Sequence, residues 1–277
     1  MIDNFFILKA TAGTIYLVIA ISYGIVFYTR KRFFIILSHI LIAFILAFHI
    51  FLIIYSSILE VKLPLTSLFD AMSVMALVLA IVYVILEFRL KEDSLGFFVF
   101  PLIFLFQAVS AAGSELSVII SSMDSRVFDM PLFGFHTLAT VTAYSFFIYS
   151  MILGVMYLPL FKEIKKREFH ILFDKLPPLL VLEKMNIASL FVGVVCLTLG
   201  LVSGIRLTLV VWDRVPFTDP KIFLSLVLWF LYSISLVMWV LKRWNGKRMA
   251  YASIFGFLLL LFSFFVVNLA FPTFHRF

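Results

Sequence analysis

Residues 30–57 read RKRFFIILSHILIAFILAFHIFLIIYSS. Three cations, Arg30, Lys31 and Arg32, precede an apolar run that holds from Phe33 to Ser56 with only Ser38, His39 and His49 interrupting it. A helix needs about 20 such residues to cross roughly 30 Å of hydrocarbon. A barrel strand would need only about ten, alternating apolar and polar, and the run does not alternate. In lipid the backbone must satisfy its own hydrogen bonds, so a stretch of this length reads as a transmembrane helix.

Outward from this stretch the same signal recurs. The expected spans are 5–29, 33–56, 67–88, 95–112, 136–159, 186–209, 221–241 and 249–270. Polar or proline-bearing breaks separate them, from Arg30-Lys31-Arg32 through the basic Lys162 to Lys184 segment with its Pro177-Pro178 to Lys242–Arg248. The expected fold is an all-α integral membrane bundle of about eight helices, one polytopic domain over residues 1–277. Composition agrees: 64% of the 277 residues are hydrophobic and 13% charged, against about half and a quarter in soluble domains. No polar stretch is long enough for a separate soluble domain, and no transporter-like internal repeat is present.

The formal net charge of +7 points to topology rather than nucleic acid, because the cations sit in short loops between spans. Fifteen flank one side: Arg30, Lys31, Arg32, Arg89, Lys91, Lys162, Lys165, Lys166, Arg167, Lys175, Lys184, Lys242, Arg243, Lys247 and Arg248. Seven flank the other: Lys9, Lys62, Arg126, Arg206, Arg214, Lys221 and Arg276. The positive-inside tendency places the larger group in the cytoplasm. Both termini are then expected outside, on a chain crossing a bacterial cytoplasmic membrane. The first segment opens with Asp3 rather than a basic region, and its apolar run is too long for a cleavable signal. The lone Cys196 lies inside the sixth span, which excludes an internal disulfide and a CxxC redox pair; it reads as a buried, inert thiol.

Two histidines fall on the outward side, His136 at the start of the fifth span and His275 just past the eighth. Between them lies Val211-Trp212-Asp213-Arg214-Val215-Pro216-Phe217-Thr218-Asp219-Pro220-Lys221. One reading is local: Asp219 caps the seventh helix, Pro220 is its first residue, and Trp212 belongs to the interfacial belt. His136 alone would be a polar residue at a helix entry, and His275 a residue of an aromatic tail. The other reading joins them. Neutral imidazole is a standard axial ligand to haem iron. Trp212 and Phe217 offer flat apolar faces, and Arg206, Arg214 and Lys221 could pair with propionates. His49, in the second span, is either a helix-to-helix hydrogen-bonding residue or a ligand to an intramembrane haem. His39 reads as snorkelling or capping near the inner interface, and His170 as solvated.

In these residues the chain resembles the cytochrome c assembly family of haem-handling membrane proteins, which includes CcsA, CcmC and HemX. The resemblance runs from about residue 40 to the end. The family carries an outward tryptophan-rich segment, roughly W-A-x-x-x-W-G-x-x-W-x-W-D-P-K, between two outward histidines. Aligned on Asp219-Pro220-Lys221, Trp212 matches one tryptophan. Leu207, Pro216 and Thr218 stand where the other three would be, and Asp213 replaces the glycine. Pro64-Leu65-Thr66-Ser67-Leu68-Phe69-Asp70 resembles the family's P-x-S-N-x-Y-E. His136 with Tyr144 and Tyr157-Leu158, the run Leu197 to Gly204, Trp229 with Tyr232, and Phe274-His275-Arg276-Phe277 also fit. His49 matches an intramembrane histidine whose partner position is Val237 here.

The resemblance implies haem b bound at the outer face by His136, His275, Trp212 and Asp219, with His49 a further haem-binding candidate. It implies a role in cytochrome c maturation beside a second membrane assembly protein and apocytochrome c, with lipid around it and no nucleic acid. Length and span number favour the HemX-like branch, and the alternative function is a HemX-like regulator or scaffold in haem biosynthesis. The chain is not expected to be a self-sufficient enzyme. A solute transporter is disfavoured, since acidic residues are absent from the span centres.

Overall fold

The computed structural model describes residues 2–60, 65, 67–90, 92–113, 127, 130–168, 170–213 and 219–263. The elements, in chain order, are α1 (Ile2–Thr29), α2 (Arg32–Glu60), α3 (Leu68–Leu90), a 3-10 turn (Asp93–Leu95), α4 (Gly96–Gly113), α5 (Pro131–Lys166), α6 (Ile171–Lys175), α7 (Leu179–Trp212), α8 (Pro220–Val240) and α9 (Gly246–Leu261). No strand occurs among the described residues. Seven of the helices are long and apolar enough to cross a membrane. The expected span 249–270 begins in α9, and its last residues lie outside the described ones.

Two helices, α5 and α7, outrun their expected spans the most. α5 starts at Pro131 rather than 136 and continues past 159 to Lys166; α7 starts at Leu179 rather than 186. Hydropathy marks where lipid ends, not where helix ends. Lys and Glu are good helix formers, so the helix carries on into water. α5 stops where Arg167 turns left-handed, at φ 59°. Pro178, extended and unable to donate an N–H, sets the start of α7.

The chain divides into two compact units, Met1–Ser121 and Ser122–Arg276. In the first, α1 buries Ala12, Tyr16, Ile19, Tyr23 and Val26. Their spacing of four and three residues makes one helical face. It meets Val99, Phe100, Ile103 and Gln107 of α4, which are also buried. The Tyr23 ring stacks on Phe100 at 5.1 Å between centroids.

In the second unit α5 and α7 pack closely because α7 offers glycines at the contact. A Cβ on Gly193 would run into the Phe147 ring, and one on Gly200 would lie 2.6 Å from Thr140 Cγ2. Small residues let helix backbones approach in a membrane, where apolar burial between helices drives little. α9 meets α5 at Gly154, whose added Cβ would sit 2.9 Å from the Ala250 carbonyl oxygen. Buried polar groups tie these helices together. Asn186 Nδ2 of α7 donates to the Ser150 carbonyl of α5 at 2.8 Å and to Ser253 Oγ of α9 at 3.0 Å. α8 joins through Trp229 Nε1, which donates to Thr198 Oγ1 at 2.8 Å.

Candidate functional site

His136 lies in the second turn of α5, sixth from Pro131. It is therefore recessed by about 7–8 Å from the helix start, at 1.5 Å per residue, rather than opening the helix. Its ring lies over Gly204 of α7, where a Cβ would stand 2.7 Å from Cε1 and 2.8 Å from Nδ1. Only a glycine leaves room for the imidazole there. Four residues earlier, the Gly200 carbonyl oxygen lies 2.8 Å from His136 Nδ1. A carbonyl only accepts, so Nδ1 carries the proton and donates. The neutral ring then holds its lone pair on Nε2, the atom that ligates a metal. Metal-binding histidines are commonly oriented by such a bond from the other nitrogen.

The helix entry opposite is built as the sequence implies. Asp219 is the N-cap of α8, its Oδ1 accepting from the backbone N–H of Lys221 at 2.8 Å and of Ile222 at 3.3 Å, and Pro220 is the first helical residue. Arg206, on α7, is exposed. Trp212 is the last residue of α7, and Asp213 caps it in a left-handed turn at φ 53°. His136, Arg206, Trp212, Asp219 and Lys221 thus belong to one unit. His275 and Arg214 lie outside the described residues.

His49 has a different environment. It is fully buried in the first unit, between Tyr16 of α1, 2.9 Å from Nδ1, and Ser73 of α3, 2.9 Å from Nε2. One carbonyl fixes every proton in this chain. The Lys9 carbonyl can only accept, so the amide atom of Gln107 facing it at 3.2 Å is Nε2. Gln107 Oε1 therefore accepts from Ser73 at 3.1 Å. With its proton so committed, Ser73 Oγ accepts from His49 Nε2–H, and His49 Nδ1 accepts from the Tyr16 hydroxyl. Both ring nitrogens are engaged, and the tautomer is the opposite of that at His136.

His39 carries more than the snorkelling role expected of it: its Nε2 lies 3.2 Å from Glu87 Oε1, which also accepts from Tyr23 and Tyr83 at 2.7 and 2.8 Å. His170 is exposed. Sequence reasoning missed the contacts of Gly200 and Gly204 and the residues flanking His49. The Gly200-x-x-x-Gly204 spacing was the available signal for the first. Lys9, Asp70 and Gln107 were the signal for the second: Lys9 Nζ lies 3.0 Å from Asp70 Oδ1, and polar residues within spans are normally partnered.

The sequence profile described as "Cytochrome C assembly protein" matches residues 5–275. The chain belongs to the cytochrome c assembly protein family. Similar proteins of the family include "Cytochrome c biogenesis protein CcsA" from two strains of Heterosigma akashiwo, each 22% identical over 236 residues, covering 74% of this chain and 73% of the relative. The protein of the same name from Prochlorococcus marinus strain MIT 9215 is 34% identical over 87 residues, 31% of this chain and 28% of the relative. These relatives carry the CcsA name and lend no support to the HemX-like placement drawn from length. No solved structure matches the chain. Val237, where the family resemblance puts a partner for His49, is an exposed residue of α8.

Proposed function

We propose that this chain holds haem at the outer face of the bacterial cytoplasmic membrane during cytochrome c assembly. His136, through Nε2, and His275 would hold its iron. The observation that carries the reading is the Nδ1–H bond from His136 to the Gly200 carbonyl at 2.8 Å. It holds the imidazole in the tautomer a ligand needs and fixes the ring against Gly204. Haem b would supply an iron that binds imidazole and two anionic propionates. Lys221 and Arg206 offer cations to the propionates, as does Arg214 from the sequence. Trp212 and Asp219 frame the α7–α8 connection between the two histidines, and membership of the family supports the assembly role.

The partners implied are a second membrane assembly protein and apocytochrome c. The cysteine thiols for haem attachment come from the apocytochrome, because Cys196 sits within α7. Both ring nitrogens of His49 are hydrogen-bonded within its own unit, and we assign it the role of holding that unit together.

The test is the visible spectrum of the purified protein. The wild type is expected to show a Soret band of bis-imidazole character. His136→Ala and His275→Ala should each give a five-coordinate, more weakly held haem, restored by added imidazole, while His170→Ala should change nothing. If both single variants keep the wild-type spectrum and still support cytochrome c formation, the assignment fails. A colourless wild type that still affects haem synthesis would establish the regulatory reading instead.

A further inference from the structure

At the basic ends of α5 and α9, beyond the Gly154–Ala250 contact, the two helices enclose a cleft of 520 Å³. Lys162, Lys165 and Lys166 reach it from α5, and Lys247 from α9. Pro159, Phe161 and Tyr251 form its apolar walls. No acidic residue lines it among the described residues. Lys166 is 3.7 Å from Glu168 outside it, in an exposed pair. The Lys247 ammonium is held by two rings, 5.9 Å from the centroid of Phe161 and 5.8 Å from that of Tyr251.

Positive-inside topology explains lysines in a loop, but not this arrangement. Residues 162, 165 and 166 share one helical face, and like charges three and four residues apart repel. A fourth cation is then directed at them from another helix. Such a cluster is unfavourable until an anion enters it. The ligand's other end is also marked. Tyr251, Phe255 and Leu258 on α9 and Phe262 just past its last residue are exposed at spacings that make one face. This apolar stripe leads from the lysines toward the middle of the helix. A charged cleft continuous with a lipid-facing stripe fits an anionic amphiphile, and basic pockets between membrane helices bind acidic lipid headgroups.

We propose that the cleft binds the phosphate headgroup of an acidic phospholipid from the surrounding bilayer, with the acyl chains lying along the α9 stripe. This site is separate from the His136 site and does not depend on haem.

The experiment is native mass spectrometry of the full chain titrated with phosphatidylglycerol and, in parallel, with phosphatidylcholine. Phosphatidylglycerol should bind with the higher affinity. Each lysine at a membrane surface contributes roughly five-fold, so Lys162→Gln with Lys247→Gln should weaken phosphatidylglycerol by about 25-fold. Lys165→Gln with Lys166→Gln should do the same if the first pair fails to fold. Replacing Lys162 and Lys247 with arginine should preserve binding. Lys31→Gln with Arg32→Gln removes the same charge from the first junction and should change affinity by less than about two-fold. An equal loss in that control, equal binding of phosphatidylcholine, or displacement of the lipid by equimolar haem would each overturn the proposal.

Discussion

Gly204→Ala tests the His136 assignment without touching the histidine. The new methyl would lie 2.7 Å from His136 Cε1 and 2.8 Å from Nδ1. Carbon contacts are comfortable at about 3.5–4.0 Å, so the ring must retreat by about 1 Å. The Nδ1 to Gly200 bond, 2.8 Å in the native structure, would lengthen toward 3.6 Å or more, which is no longer a hydrogen bond. Two effects on stability oppose each other. Overpacking costs about 1–3 kcal/mol, while alanine in place of a mid-helix glycine returns roughly 1 kcal/mol. The melting temperature should therefore fall only modestly. Haem affinity should fall further. Losing the bond that orients a ligating histidine costs about 10–100-fold in metal affinity, or roughly 1.4–2.7 kcal/mol.

The control is Gly193→Ala, whose methyl would run into the Phe147 ring of the same helix pair. It lies eleven residues away along α7, about 16 Å at 1.5 Å per residue, and does not touch His136. It should lower the melting temperature and leave haem affinity unchanged. The assay is a spectral haem titration beside a thermal melt for each variant. Wild-type affinity in Gly204→Ala would refute the reasoning. So would an equal loss of affinity in Gly193→Ala, because affinity would then follow general destabilisation of the helix pair.

His49→Leu strands the Tyr16 hydroxyl and breaks the link to Ser73, and each buried polar group left unsatisfied costs about 1–3 kcal/mol; melting should drop measurably while haem stoichiometry stays at one per chain. Two haems per wild-type chain would show that His49 gives up its hydrogen bonds for iron. For topology, a reporter active only in the cytoplasm should give signal when fused after Arg248 and none when fused after Phe277. Signal at the C-terminus would reverse every outward assignment.

Hydropathy alone yielded the helical class and the positions of seven spans, because lipid imposes one solution on a long apolar run. It misplaced the ends of α5 and α7, since a helix that leaves the membrane keeps its own hydrogen bonds while its composition turns polar. The Asp219-Pro220 start of α8 was legible because its cap is made within three residues of chain. The contact of His136 with Gly200 and Gly204 was not. It joins residues 64 positions apart, and neither a hydropathy profile nor residue spacing specifies which helices are neighbours. The HemX-like placement rested on length and span number, which are properties of the bilayer crossing more than of the site, and the CcsA-named relatives do not support it.

The two span histidines show what a sequence withholds. His49 and His136 are the same residue, both set within helices long and apolar enough to cross a membrane. What separates them is which partner can only accept. At His136 a backbone carbonyl takes the Nδ1 proton, which puts the lone pair on Nε2. At His49 the Lys9 carbonyl, acting through Gln107 and Ser73, requires the proton on Nε2 and leaves Nδ1 to the Tyr16 hydroxyl. Recruiting His49 Nε2 to a metal would break its bond to Ser73 and move the proton to Nδ1, where it now accepts from Tyr16. Recruiting His136 Nε2 leaves the Gly200 bond in place. The two imidazoles are thus held in opposite tautomers by their hydrogen-bond partners.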